Sequence, residues 1–523
     1  MHHNKKEGAQ SDSDKGRVVS LSGGKSKTIW WIIGAFVVLF AWKGILLQNT
    51  FRTAAFDFAI YDQSVWNIAK NFSTANSVNG FGNSFGAHFQ PILFLLAPFY
   101  WIWNNPRMLI ILEVLIVGLG ALPVWNLAER KFKNRFFTLS LVFAYLFFIG
   151  NRSALAFPFH PSTFLAPLLL FAYDYFDQKR WGWHWFFIVL ALLVKENAGN
   201  YVAVFGLVLF LTDRRYWKLA IGYGVLGIGW LAIETKLILP MISNRDYSFF
   251  YFKTLGDNQM SAMVTIVKNP VYVIRLMLEN GAKIRTFLTS FLGSGFIALT
   301  TPFALLGLPS LGERLLSTRP AMWLANVYYG APMAWAFIIS TLKGVEKWTN
   351  NRQLKTDNKE KWLNMVSVVM ILGTLVLVIN EPLTGLRFDG WKVRDFKEKK
   401  EFWQAVKMVP QDKVLAAQSQ LVPQIAHRKE IYRYPEGNPE YILLSIDTKG
   451  WPMTPAVYRR EIGKLLKDKN WGLIYNQGGI LLWQKGVKDK VGATSRVKEY
   501  LKNGKSYMDY SEIGDNYQAP ISK

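Results

Sequence analysis

Two acidic residues close behind the first apolar segment are the strongest candidates for chemistry. The segment TIWWIIGAFVVLFAWKGILLQ is almost entirely apolar, and FDFAIYDQSVWN follows it with Asp57 and Asp62. A carboxylate there can act as a general base on a hydroxyl, or it can be a solvated acid that starts a helix. On a helix, Asp57 would share a face with Tyr61 and Ser64, whereas Asp62 would lie off that face. Only one of the two is therefore expected to face a given pocket.

Other ionisable and aromatic residues occur in connections between apolar runs. LLVKENAG places two charges in a tight reversal, where ionisable groups usually face a cavity or a partner. The remaining residues also have ordinary structural explanations, such as helix capping or an aromatic belt at the membrane interface. The set comprises His88 in GAHFQP, His160 in AFPFHPS, Lys195 and Glu196 in LLVKENAG, and Tyr328 and Tyr329 in NVYYGAP. Glu113, deeper in LIILEVLIVG, is expected to make a buried structural hydrogen bond.

The elements that must position these residues are apolar helices. Of the 523 residues, 51% are hydrophobic, and apolar runs recur from Ile29 to Asn380 but not beyond. Because a bilayer core needs about 20 apolar residues per helix, the pattern predicts an α-helical integral membrane bundle with about eleven transmembrane helices. They are expected at 29–47, 108–127, 136–150, 161–176, 181–195, 197–212, 217–239, 321–342 and 362–380, with a short pair between 283 and 311. Residues 87–103 are expected to form a helix in the outer interface.

The basic residues indicate how the bundle is oriented. The net charge is +25, and Lys and Arg cluster in short connections such as ERKFKNR, DQKR and DRRYWK. Such loops stay on the cytoplasmic side, so the charge predicts a multi-pass plasma-membrane protein with a cytoplasmic N-terminus. Membrane lipids are the expected partners of this charge, and nucleic acid is not. Because the chain has no cysteine, disulfides, iron–sulfur clusters and Cys-ligated zinc are excluded.

The chain divides into four predicted regions. Residues 1–28 are expected to be a disordered basic cytoplasmic arm, and 29–380 the transmembrane domain, with a first outer loop at 48–107 and another at 240–282. From residue 381 the pattern changes: KEFWQAVKMV and PAVYRREIGKLLKDK are typical of helices, and WGLIYNQGGILLWQK of a hairpin. Residues 381–486 are therefore predicted to form a small extracytoplasmic α/β domain, and 487–523 a polar tail.

Several motifs in their order resemble those of a known family. They are FDFAIYDQSVWN, HFQPILFLLAPFYWIWNNP, FHPSTFLAP, VKEN, the segment LPSLGERLLS…YYGAP, and VPQDKVLAAQSQLVPQIAHRKEIYRYPEG. From about residue 30 to 486 the chain resembles an uncharacterised family of prokaryotic polytopic membrane proteins, a domain of unknown function related to the GT-C superfamily of integral-membrane glycosyltransferases. The resemblance implies transfer of a sugar from a polyprenyl-phosphate carrier to a cell-envelope acceptor on the outer face.

The resemblance also implies roles for individual residues. GT-C enzymes carry an acidic residue in the first outer loop, a position that Asp57 matches, with Asp62 as the second candidate. HFQP resembles their basic-residue-then-proline segment, and VKEN resembles their lysine-containing turn. YYGAP resembles a tyrosine–proline element in which Arg-Tyr is commoner, and here the basic residue is displaced to Arg319. The expected catalytic residues are thus Asp57, Asp62 and Glu196, and the expected substrate-binding residues are His88, His160, Lys195, Tyr328, Tyr329 and Arg319.

The chemistry of sugar transfer fits these residue types. A carboxylate would deprotonate the acceptor hydroxyl, and Lys195, His88 or His160 would lie near the phosphate leaving group. Asp57 and Glu196 could instead hold a divalent cation, although no clear ligand spacing supports this, and no other cofactor is implied. Two alternatives stay open, a lipid or small-molecule transporter or flippase and a non-catalytic envelope-binding membrane protein. Inverted repeats with charges near mid-bilayer would favour the transporter.

Overall fold

The computed structural model describes residues 25–245, 249–351, 356–380, 399–448, 450 and 452–503. Helices make up the part before residue 381, and a sheet flanked by helices makes up residues 399–503. Most of the predicted basic arm at 1–28 lies outside the described residues, and so do the start of the predicted domain at 381–398 and the predicted tail beyond 503.

The helical part contains apolar helices of very different lengths. The α-helices before residue 245 are Lys25–Asn49, Ile60–Asn71, Ile92–Leu96, Phe99–Ile102, Arg107–Leu119, Ala121–Phe132, Arg135–Leu146, Ile149–Leu155, Leu165–Asp177, Trp181–Leu192, Ala198–Thr212, Trp217–Ile233 and Leu239–Ser243. Those after it are Gln259–Lys268, Pro270–Met277, Gly281–Leu292, Leu308–Leu315, Pro320–Trp323, Met333–Asn351 and Thr356–Asn380. Short 3₁₀ or π segments are Ala55–Ala59, Pro161–Phe164, Arg214–Tyr216, Glu234–Ile238, Ile297–Thr300, Pro302–Gly307 and Tyr328–Gly330.

Four helical stretches in the described part are long and apolar enough to cross a membrane. They are Lys27–Asn49, Arg107–Phe132, Arg214–Ser243 and Asp357–Asn380, and a fifth results if the bent pair Arg135–Leu146 and Ile149–Leu155 is one span. The predicted number of about eleven is therefore not confirmed. Other predicted spans are helices of 10–17 residues, such as Trp181–Leu192 and Ala198–Thr212. At 1.5 Å per residue such helices fall short of a bilayer core of about 30 Å.

The turn that carries Lys195 and Glu196 is held by a close helix pair. Helix Ala198–Thr212, which begins just after this turn, packs along helix Trp217–Ile233. At their contact, a Cβ added to Gly199 would lie 2.2 Å from the Gly227 carbonyl oxygen. Glycine is therefore required for this approach, as at other close crossings of apolar helices.

Within the residues that the structure describes, seven strands form two sheets. Strands β1 (Ala75–Asn76) and β2 (Gly82–Asn83) pair antiparallel within the first loop. The second sheet has five strands in the order β4-β3-β5-β7-β6, and they are β3 (Leu415–Ala417), β4 (Ile431–Arg433), β5 (Tyr441–Ser445), β6 (Trp471–Gln477) and β7 (Ile480–Lys485). Strand β3 runs parallel to β4 and β5, whereas β7 runs antiparallel to β5 and β6. Gly478 and Gly479, with φ of 56° and 82°, form the β6–β7 turn.

In residues 399–503, as far as the structure describes them, four helices accompany this sheet, and the last of them lies beyond the predicted boundary at 486. The helices are Lys399–Lys407, Val422–Ile425, Pro455–Leu465 and Ser495–Asn503. In the last of them, Val497 and Tyr500 are buried in one hydrophobic cluster with Tyr458 and Trp483. The polar tail expected from 487 is corrected here, because residues 495–503 form a helix that packs on the sheet unit. Its amphipathic spacing buries only two side chains, and that is enough to attach a helix.

Candidate active site

Asp57 forms a hydrogen-bonded pair with His160. The carboxylate Oδ2 lies 3.0 Å from His160 Nε2. Asp57 is 27% exposed and His160 is 4% exposed, so the pair presents its acidic side to the surroundings. The predicted helical face is corrected here, because Phe56 and Asp57 have non-helical backbone angles and the regular helix begins only at Ile60.

Two contacts fix the position of the His160 segment. Glu113, which is fully buried in helix Arg107–Leu119, accepts a hydrogen bond of 3.0 Å from the His160 backbone N–H. The Thr163 hydroxyl donates to the His160 carbonyl oxygen at 2.7 Å. Because a buried carboxylate is stable only when it is bonded, Glu113 here anchors the backbone that carries the imidazole.

Tyr328 of the YYG segment packs against the imidazole, and Tyr329 packs against Tyr328. The Tyr328 ring stacks on His160 with centroids 3.6 Å apart, and its hydroxyl donates to the Tyr329 hydroxyl at 2.8 Å. A Cβ added to Gly150 would lie 2.2 Å from the Gly330 carbonyl oxygen, so the YYG segment sits tightly against helix Ile149–Leu155. The structure thus brings Tyr328 and Tyr329 to the Asp57–His160 pair.

His88 and Glu196 form a second pair beside the first. His88 Nδ1 lies 2.7 Å from Glu196 Oε1, and Glu196 is only 2% exposed. The backbone N–H of Ile92 also donates to the Leu193 carbonyl oxygen at 2.9 Å, which joins the HFQP segment to the KEN turn. Burial alone would raise the pKa of Glu196, but His88 and, more weakly, Lys195 outweigh it and hold this pKa at about 2.

Lys195 supplies a positive charge between these groups. Within the part of the chain that the structure describes, its half-buried side chain makes no hydrogen bond or ion pair. Burial acts to raise the pKa of Asp57, but His160, then His88 and Lys195, outweigh it, so this pKa lies below its ordinary value. Glu313, which was not predicted, accepts a hydrogen bond of 2.7 Å from Asn197, and burial raises its pKa. Its only signal in the sequence was its place in LPSLGERLLS.

Arg319 lies at the edge of this group. Its guanidinium stacks on the Tyr251 ring at 3.8 Å, and Phe249, two residues before Tyr251, packs on His88 with ring centroids 4.5 Å apart. Cation–π contacts of this kind keep a guanidinium oriented while its N–H groups can still bind an anion. Arg319 thus sits with the aromatic segment beside the site, without contacting Asp57.

Asp62 does not join this group. It is fully buried, and its Oδ1 accepts a hydrogen bond of 2.5 Å from the Tyr100 hydroxyl. His427, from the C-terminal sheet unit, places Nε2 at 3.1 Å from the same oxygen. The Trp66 ring stacks on His427 with centroids 5.5 Å apart. His427 was not predicted, because no local pattern connects residues so distant along the chain.

The arrangement can bind an anion and accept a proton, but it offers few metal ligands. Across residues 25–503, apart from the gaps given above, no group of three or more His, Asp or Glu side chains could hold a metal ion. Asp57 with His160 and His88 with Glu196 are separate two-membered pairs. Within the described residues, the side chains of this group therefore supply a carboxylate, imidazoles and the ammonium group of Lys195, which makes no hydrogen bond or ion pair there.

Comparisons with known proteins identify the fold and the family. The fold is similar to the crystal structure of ArnT from Cupriavidus metallidurans in the apo state, with a TM-score of 0.51 and 13% sequence identity over 90% of this chain and 100% of that chain. No curated protein matches the chain. The family model described as "Predicted membrane protein (DUF2079)" matches residues 48–482. The family resemblance found in the sequence is thus confirmed: the chain belongs to the DUF2079 family of predicted membrane proteins.

Proposed function

We propose that the protein transfers a sugar from a polyprenyl-phosphate carrier to a hydroxyl group of a cell-envelope acceptor. The observation that carries the proposal is the Asp57–His160 pair, with Lys195 and the His88–Glu196 pair beside it. The resemblance of the sequence motifs to the GT-C superfamily implies this chemistry, and the ArnT-like fold is compatible with it. Since one fold can host several functions, the site residues weigh more than this likeness.

Asp57 is the general base in this proposal. Its lowered pKa keeps the carboxylate ionised at neutral pH, and the hydrogen bond from His160 orients Oδ2 while Oδ1 can meet the acceptor. The acceptor oxygen attacks the anomeric carbon and its proton passes to Asp57. The bond between that carbon and the phosphate oxygen breaks, and its electron pair leaves with the polyprenyl phosphate.

Lys195 stabilises the phosphate that leaves. Its ammonium group has no protein partner in the described part of the chain, so it can pair with an anion without first breaking an ion pair. Arg319 lies at the edge of the group and adds positive charge. Glu196 holds His88 in place, and Tyr328 holds His160 by stacking.

The proposed orientation puts this group on the extracytoplasmic side. Arg107, at one end of stretch Arg107–Phe132, donates a hydrogen bond of 2.9 Å to Asn49, at the end of the first helix. Lys131, at the other end, pairs with Asp177 at 2.7 Å. The basic connections around 129–135 and 177–180 therefore meet at one end, and the first loop lies at the opposite end, as expected if basic loops are cytoplasmic. The C-terminal unit, which contacts the first loop, is then also extracytoplasmic.

Replacing Asp57 with asparagine tests the proposal in cells. In a deletion strain complemented with Asp57→Asn, we expect envelope glycan transfer to fall by at least about 100-fold and lipid-linked sugar to accumulate, because a positioned base contributes that much. Asp213→Asn is a matched control: Asp213 is also 27% exposed and also pairs with a basic residue, Arg215, but in a different loop. An unchanged glycan profile at normal membrane abundance of the variant would contradict the enzyme and favour a transporter or a binding protein.

A further inference from the structure

Asp62 joins three segments that are far apart in the chain. Its buried carboxylate is bonded by Tyr100, at the end of the first loop, and by His427, from the sheet unit. His427 in turn stacks on the ring of Trp66, and the ring of Tyr100 lies tilted against it with centroids 5.7 Å apart. Burying a carboxylate costs free energy unless partners compensate it. Because His427 is one of the two partners of Asp62, this compensation is complete only while the sheet unit is docked.

The first loop and the sheet unit share one hydrophobic core. A single cluster of buried side chains contains residues of both parts. The first loop contributes Phe51, Ala55, Ala59 and Val78. The sheet unit contributes Phe402, Leu415, Leu421, Val422, Ile425, Ile431, Leu443, Ile480 and Leu482. The Phe51 ring meets Phe402 edge-on with centroids 5.0 Å apart. Because neither segment can bury these residues alone, the two are expected to fold as one body.

Contacts with the sheet unit flank Asp57 on both sides. Two residues before it, the Ala55 N–H donates to the Ser419 carbonyl oxygen at 2.8 Å. Immediately before it, the Phe56 ring lies under the Arg433 guanidinium at 4.0 Å. After it come the Asp62–His427 contact and a hydrogen bond of 3.0 Å from the Gln63 side chain to the Arg428 carbonyl oxygen.

We propose that the sheet unit is the positioning element for Asp57 and that His427 and Asp62 are positioning residues. The irregular backbone at Phe56 and Asp57 has no helix to define it, so the flanking contacts define it instead. Asp62, which the sequence offered as a catalytic candidate, then acts through Asp57 without touching substrate. The catalytic half of this role rests on the proposed function, whereas the ordering of the loop does not.

Hydrogen exchange measures that ordering directly. In full-length protein in detergent or nanodiscs, His427→Ala should speed amide exchange across residues 55–63 by about tenfold, the usual effect of losing one hydrogen bond to a charged group. His427→Gln, whose amide can donate to Asp62, should restore slow exchange. Lys413→Ala is the control: it removes an exposed ion pair to Glu440 within the sheet unit, and exchange at 55–63 should stay unchanged.

The outcomes separate this inference from the proposed function. Unchanged exchange at 55–63 in His427→Ala, or no rescue by His427→Gln, would overturn the positioning role even if transfer activity is found. Faster exchange with rescue, in a protein that transfers no sugar, would keep the ordering and reject the glycosyltransferase. If His427→Ala cannot be purified, Arg433→Ala removes the contact over Phe56, and its failure to speed exchange at 55–57 would overturn the inference equally.

Discussion

Replacing His88 with alanine should lower the free energy of unfolding, and the lowered pKa of Glu196 indicates by how much. Glu196 is buried, and its pKa falls from 4.5 to about 2 mainly because His88 outweighs the effect of burial. At about 1.4 kcal/mol for each pKa unit, this corresponds to about 3 kcal/mol in favour of the folded carboxylate. Because burial of Glu196 is no longer outweighed in the variant, and Lys195 keeps only a weaker part of the effect, we expect His88→Ala to lower the free energy of unfolding by at least about 3 kcal/mol.

The pH dependence of this loss has a defined sign. A carboxylate whose pKa is depressed on folding stabilises the protein fully above its ordinary value of 4.5, and this stabilisation is lost as the pH falls from 4.5 towards 2. The difference between wild type and His88→Ala should therefore be large at neutral pH, and it should shrink below pH 4.5. Tryptophan fluorescence during unfolding in mixed micelles at several pH values measures this difference.

Two further variants make the test specific. In a double variant, Glu196→Gln should recover part of the stability that His88→Ala loses, because the amide is not charged when left without the imidazole. Lys413→Ala, which breaks an exposed ion pair, should leave the unfolding curve unchanged. If His88→Ala unfolds like wild type at pH 7, or if its deficit grows as the pH falls below 4.5, the buried charged pair is refuted.

Substitutions at two other positions, Lys195 and Tyr328, test the remaining parts of the site. Lys195→Ala should reduce kcat by about 100-fold with a smaller rise in KM, because the positive charge matters most as the phosphate leaves. Lys195→Arg keeps the charge and should recover part of the rate. Equal losses in both variants would contradict the role of the charge. Tyr328→Leu should lower the transfer rate because it removes the ring that stacks on His160, whereas Tyr328→Phe should keep most of it. A Tyr328→Phe variant as slow as Tyr328→Leu would show that the hydroxyl, and not the ring, is needed.

Much of the site was accessible from the sequence, but its pairings were not. Hydropathy and basic loops were enough to predict that Asp57, His160 and Lys195 lie at the same end of a membrane bundle, since connections between apolar runs alternate between the two sides. Which carboxylate meets which imidazole depends on packing between residues 103 apart for Asp57 and His160, and no local pattern encodes that. Helical spacing did predict that Asp57 and Asp62 would point in different directions, although the regular helix begins only at Ile60.

The fold was predictable in kind and less so in detail. Apolar composition identifies helices that belong in a membrane, but it cannot tell a full span from an apolar helix that is too short to cross, such as Trp181–Leu192. The docking of the sheet unit on the first loop was also beyond sequence patterns, because His427 lies 365 residues from Asp62. That contact gives a buried carboxylate a structural explanation where its position in the sequence suggested catalysis.

The most direct test of the central claim is release of polyprenyl phosphate by purified protein in nanodiscs. The substrate is the pool of lipid-linked sugars extracted from the deletion strain, with an envelope fraction as acceptor. We predict release by wild type and by Asp213→Asn, and release at least about 100-fold slower by Asp57→Asn that is equally well folded. Equal rates for wild type and Asp57→Asn, or no release by wild type from any lipid in that pool, would contradict the account.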